Sequence, residues 1–112
     1  MFGYFELVKN FEYLTNEYGM DLIESRLRSS FPYAVWSNGK INIKVICDFS
    51  DIKPLHLYVY KADDLAMFEV LKEYIDEFIY QPKSNTDVVG YFKYAARVFY
   101  DILKKDKTIL NQ

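Results

Sequence analysis

AVWSNGKINIKVICD, residues 34–48, decides the fold. At its centre Asn38-Gly39 is the strongest local signal for a hairpin, because a type I′ turn needs positive φ at both central residues. With those two residues as the loop, Trp36 faces Ile41 and Ala34 faces Ile43, and the same side collects Val45 and Cys47. That side is apolar enough to form a core. The next stretch, LHLYVYK at 55–61, alternates again, with Leu55, Leu57 and Val59 on one side and His56, Tyr58 and Tyr60 on the other. The expected sheet is therefore antiparallel and three-stranded, over 33–37, 40–47 and 55–61.

Outward from the sheet, the spacing turns helical. Tyr4, Leu7, Phe11, Leu14 and Tyr18 recur at intervals of three and four, which predicts a helix over 3–18 closed by Gly19. Met20, Ile23, Leu27 and Phe31 repeat that spacing behind Asp21 as a cap, which predicts a short helix over 21–29 that Pro32 ends. Beyond the strands, Asp63 and Asp64 offer a cap for a helix over 64–80 carrying Phe68, Leu71, Ile75 and Phe78 and stopping before Pro82. Ser84 with Asp87 resembles a capping box and opens a helix over 86–105, striped by Val88, Phe92, Ala95, Ala96, Phe99, Ile102 and Leu103. The polar QPKSNT is the length of a helix-hairpin connector, not a domain linker. The expectation is one two-layer α+β domain over 1–112, with two N-terminal helices and a C-terminal helical hairpin on one face of the sheet.

Composition narrows the function classes. The chain has 112 residues, 51% hydrophobic and 27% charged, which fits one globular core. A net charge of -2 gives no overall field toward nucleic acid or an anionic membrane. No basic leader precedes an apolar stretch, and no run approaches the length needed to span a bilayer. Cys47 is the single cysteine, so no internal disulfide forms, and the expected setting is a reducing cytoplasm. Aromatic residues are abundant, with eleven Tyr, nine Phe and one Trp, so some of them must lie at the surface.

Candidates for catalysis are few. The one histidine, His56, falls on the strand face opposite Cys47, so the two cannot act as a pair. One histidine and one cysteine fall short of a zinc set, and Asp48, Asp51, Asp63 and Asp64 fit turn and cap roles better than a cation site. The four glycines are scattered and form no phosphate loop. No catalytic, metal or cofactor residue is assigned. A small-ligand binder or enzyme with a pocket near His56 remains a third reading.

Two surfaces remain as candidates for contact. The outer face of the sheet gathers Tyr33, Val35, Asn42, Lys44, Ile46, His56, Tyr58 and Tyr60, a mixture of rigid aromatic, aliphatic and polar groups that suits a partner. Either one of the helices, such as 21–29, covers that face or it is a contact surface, and the sequence leaves both open. The second surface is the polar side of helix 64–80, where Glu69, Glu73, Asp76 and Glu77 share one arc and repel. Residues 62–80 carry a net charge of -5 and residues 83–107 a net charge of +3. Either Lys93 and Arg97 neutralise the acids across the helical hairpin, or the acids steer a basic partner such as a nuclease.

FEYLTNEYGMDL at 11–22 followed by YAVWSNGKINIKVICDF at 33–49 resembles small bacterial α+β proteins that open with a helix, a Tyr-Gly break and short strands. Some of these are similar to immunity proteins of toxin systems, although Met20 stands where they often have Phe. The resemblance implies a cytoplasmic protein that acts by binding a cognate toxin, and it assigns a role to no residue. The expected function is a non-enzymatic protein-binding module of immunity or inhibitor type that blocks a basic partner. Its residues would be Tyr33, Lys44, His56, Tyr58, Tyr60, Glu69, Glu73, Asp76 and Glu77. The alternative is a homo-oligomer that pairs through its tyrosine face.

Overall fold

The computed structural model describes residues 4–28, 30–48, 53–63, 67, 69–78 and 88–111. In chain order these form α1 (Tyr4–Asn10), α2 (Tyr13–Asn16), β1 (Asp21–Arg26), β2 (Tyr33–Ser37), β3 (Ile41–Cys47), β4 (Leu55–Lys61) and β5 (Val70–Tyr74). A 3-10 turn at Asp76–Phe78, the long helix α3 (Val88–Lys105) and a second 3-10 turn at Ile109–Asn111 complete them. The five strands form one antiparallel sheet in sequence order.

The central hairpin folds as its alternation requires, with one change at the loop. Trp36 pairs with Ile43 and Ala34 with Val45, two residues further along β3 than a loop at Asn38-Gly39 would place them. Gly39 instead takes the first loop position with φ +89, and the Asn38 N–H bonds the Ile41 carbonyl at 3.1 Å. Glycine with positive φ at that position suits a type II′ turn. The Asn38 side chain is then free to accept from the Lys40 and Ile41 N–H groups at 2.9 and 2.8 Å and to donate to the Leu110 carbonyl at 3.0 Å. A shift of two preserves the parity of the strand, so both faces keep their expected residues.

One face of the sheet carries the core. Trp36, Ile41, Ile43, Val45, Cys47, Leu55, Leu57 and Val59 pack with Leu7, Phe11 and Leu14 from the N-terminal helices and with Phe92, Ala95, Ala96, Phe99 and Leu103 from α3. The last five recur at helical spacing, the signature of an amphipathic helix laid on a sheet. Two tyrosine hydroxyls tie elements of the core together. Tyr13 donates to the Ala96 carbonyl at 2.6 Å, and Tyr91 donates to the Phe78 carbonyl at 3.2 Å while accepting from the Leu55 N–H at 3.1 Å. Among the described residues no helix is long and apolar enough to cross a membrane.

Several expectations are corrected. The sheet has five strands, not three. Residues 21–26 form β1 rather than a helix over 21–29, and the segment expected as a helix over 64–80 contains β5 and the 3-10 turn. Among the described residues there is no C-terminal helical hairpin: α3 packs on α1 and the sheet. The single helix expected over 3–18 is divided at Phe11 and Glu12, with Leu7, Phe11 and Leu14 buried as anticipated and Gly19 at φ +67 after its end. The connector at 81–86, the Ser84–Asp87 capping box, Phe68, Asp51 and Asp64 lie outside the described residues.

Candidate functional site

Extending the sheet to five strands widens the face turned away from the helices, and its register produces three cross-strand rows. The middle row runs Glu24, Val35, Lys44, Tyr58, Glu73. On one side lies Arg26, Tyr33, Ile46, His56, and on the other Asp21, Ser37, Asn42, Tyr60, Val70. The segment 21–29, one of the helices expected as a cover for this face, instead contains β1, which adds Asp21, Glu24 and Arg26 to it. None of these residues belongs to the core cluster, whose helical members all lie on the opposite side.

The side chains of the first two rows hold one another. Tyr33 donates to Glu24 Oε1 at 3.0 Å, and Lys44 Nζ stands 4.5 Å from the centre of the Tyr33 ring. His56 Nε2 lies 2.8 Å from the Lys53 carbonyl and Nδ1 lies 3.2 Å from the Tyr58 hydroxyl. A carbonyl only accepts, so Nε2 carries the proton and Nδ1 accepts from Tyr58. His56 thereby orients the Tyr58 ring, and both of its nitrogens are engaged. The hydrogen bond to Glu24 and then burial raise the Tyr33 phenol above its ordinary range, while burial and then the Glu73 charge raise Tyr58. Both phenols stay protonated at neutral pH and keep a hydroxyl to offer.

Not every residue expected on this face is available. Tyr33, Lys44, Ile46, His56 and Tyr58 are half-exposed, whereas Val35, Asn42 and Tyr60 are buried. Tyr60, at 4% exposure, is no surface anchor. Asn42 Oδ1 is buried with no hydrogen-bond partner, an arrangement that costs about 1–3 kcal/mol.

The four acids do not lie on a helix. Glu73 belongs to β5 directly opposite Tyr58, Asp76 and Glu77 belong to the following 3-10 turn, and Glu69 precedes β5. Glu73, Asp76 and Glu77 line one open hollow of about 400 Å³ together with Lys53 and Ile75, and Glu69 is not among its lining residues. Asp76 pairs there with Lys53, and Glu77 Oε1 accepts from the Ile75 N–H at 3.2 Å. Lys93 and Arg97 on α3 form no ion pair with Glu73, Asp76 or Glu77 among the described residues. Glu73 is the hinge of the arrangement, since it ends the middle row of the outer face and also lines the hollow. The two surfaces read separately from sequence meet at this residue.

A second hollow, of about 330 Å³, was not legible in sequence. Glu17, Tyr18, Asn38, Leu103, Lys104, Asp106, Lys107, Leu110 and Asn111 line it where the N-terminal helices, the β2–β3 turn and the end of α3 converge. Its charges are already matched: Lys104 lies 3.7 Å from Glu17 and 5.1 Å from the Tyr100 ring centre, and Tyr100 donates to Glu17 at 2.8 Å. Neither hollow is lined by His56. Cys47 is fully buried on the core side, and burial pushes its thiol well above the usual range, so it offers no nucleophile. Among the described residues no three His, Cys, Asp or Glu gather as a metal set. No protein-family model, curated protein or solved structure matches the chain.

Proposed function

We propose that the chain is a non-enzymatic protein-binding module that docks a basic partner on the outer face of its sheet, from Tyr33 and Lys44 across Tyr58 to the acidic hollow at Glu73. The observation that carries this reading is the middle row, Glu24, Val35, Lys44, Tyr58, Glu73, which joins the half-exposed Tyr58 to the hollow on the face opposite the described helices. Tyrosine anchors lose little side-chain entropy on docking, and the Lys44 and His56 contacts already hold Tyr33 and Tyr58 in place. Glu73 and Glu77 suit an arginine or lysine of the partner, and their charge speeds encounter with a basic surface. In its concrete form this is an immunity or inhibitor-type protein, for which occluding the partner is the activity. A cytoplasmic setting suits its single buried thiol.

The test begins with the whole chain as bait against soluble cell proteins and continues with the purified partner, following association and dissociation at low and high salt. Glu73→Lys is expected to slow association about tenfold at low salt and far less at high salt. Tyr58→Ala is expected to raise the dissociation rate about tenfold, whereas Lys107→Glu, at the other hollow, leaves both rates unchanged. A partner that binds Glu73→Lys and Tyr58→Ala as tightly as the native chain overturns the reading.

A further inference from the structure

Among the described residues β1 and β5 are the two edges of the sheet, and they differ in a way that bears on self-association. An edge strand presents unpaired backbone groups, and proteins commonly protect it with lysine. β5 follows that pattern. Lys72 lies on this strand, which also carries a register slip next to it.

β1 is guarded instead by a bulge and by charges of both signs. All six of its residues are exposed, including Leu22 at 41% and Ile23 at 55%, and it contains neither lysine nor proline. Its register against β2 slips between Leu22 and Glu24, which makes Ile23 the extra residue of a bulge. This bulge changes the parity of the strand. In a regular strand residues 21 and 26 would point to opposite faces. Here Asp21 pairs with Ser37 and Arg26 with Tyr33, so both stand on the outer face with Glu24 between them. Neither Asp21 nor Arg26 has an ion-pair partner among the described residues.

We propose that β1 pairs antiparallel with β1 of a second copy about a two-fold axis at Glu24. Counting the bulge as one position, Asp21 then faces Arg26 of the second copy, and Arg26 faces its Asp21. Opposite charges directly across a strand pair are favourable, and the two-fold makes the contact twice. Glu24 faces its own copy, the one repulsive contact, and the Tyr33 hydroxyl that bonds its carboxylate moderates it. The axis runs perpendicular to the sheet, so the two outer faces lie side by side in one ten-stranded sheet, and the docking surface is doubled rather than covered. Five positions of strand pairing sit at the low end of interface sizes, so the dimer is reversible and concentration-dependent.

Sedimentation equilibrium at low salt, over a concentration series reaching ~1 mM, tests this. The native chain dimerises. Asp21→Arg weakens the dimer about tenfold, and adding Arg26→Asp to that variant restores it. Glu24→Gln, which keeps the Tyr33 hydrogen bond but removes the facing charges, tightens it several-fold. These positions are exposed, and a thermal melt of each variant checks that it folds. A chain that stays monomeric throughout overturns the proposal. So does a dimer indifferent to all three substitutions, which places the contact elsewhere; loss of that dimer on Tyr58→Asp would place it on the tyrosine face.

Discussion

Phe99→Ala is expected to cost about 3–5 kcal/mol of folding stability, measured by urea unfolding of the native and variant chains. Phe99 is fully buried on α3 and meets the Tyr74 ring of β5 edge-on, with ring centres 5.5 Å apart and planes at 63°. Removing the ring leaves a cavity between the long helix and the strand that sequence alone did not place, and the loss includes the aromatic pair as well as buried area. Domains of this kind are stable by only about 5–15 kcal/mol, so the variant stands near the threshold of folding. Phe5→Ala is the control. Phe5 is 62% exposed, and its removal is expected to change stability by less than about 0.5 kcal/mol. Equal effects of the two substitutions would mean that α3 does not pack on the sheet as described.

Tyr91→Phe removes one oxygen, and the expected loss is about 1–3 kcal/mol. That oxygen bridges the Phe78 carbonyl and the Leu55 N–H, linking the turn after β5 to the start of β4, and both partners are buried. Its loss leaves two buried backbone groups without this partner. The same hydroxyl gives stability an alkaline limit. Burial raises its pKa to about 12, against the opposing effect of the Leu55 hydrogen bond, while an unfolded tyrosine titrates near its ordinary value of 10.0. A raised value in the folded state stabilises fully below the unfolded value and is lost as pH climbs toward the folded one. Stability therefore falls between about pH 10 and pH 12. Tyr13 acts in the same direction because burial holds its proton, and the buried Cys47 thiol adds an earlier part of the decline. The double variant Tyr13→Phe, Tyr91→Phe is expected to be less stable at neutral pH yet to show a flatter alkaline decline. An unchanged slope would mean that these hydroxyls titrate freely in the folded chain.

The parts of the fold legible in sequence are those where alternation runs without interruption. β2, β3 and β4 lie in the interior of the sheet, and their inward residues, from Trp36 through Val45 to Leu57, form an unbroken period of two. The two strands that were missed are the two edges, and each contains a register slip. In β5 the slip near Leu71 changes parity, so Leu71 and Tyr74, three apart, both pack on the core, and the following turn buries Phe78. The partly buried Leu71 with the buried Tyr74 and Phe78, at 71, 74 and 78, imitates one face of a helix. In β1 the bulge at Ile23 does the same, and a strand exposed along its whole length carries no burial period to correct the impression. Strand pairing overrode the local pattern in both cases.

The candidate site was legible to the same extent. The outward parity of Tyr33, Lys44, His56 and Tyr58 follows from the interior strands. The position of Glu73 does not, because it depends on β5 and sets a single acid beside Tyr58 where a helix would have offered four along one side. Tyr60 shares the parity of Tyr58 yet is buried, and alternation carries no information about cover on the outer face. The hollow around Glu17 and Lys104 joins segments more than 80 residues apart and leaves no local trace.

Side-chain NMR with a soluble paramagnetic agent tests most directly whether the face from Tyr33 to Glu73 is open to a partner. The account predicts strong relaxation enhancement at Tyr33, Lys44, Tyr58 and Glu73, with Trp36, Ile43 and Leu57 of the same strands protected. Enhancement of Tyr33 and Tyr58 no greater than that of Trp36 and Leu57 would contradict it.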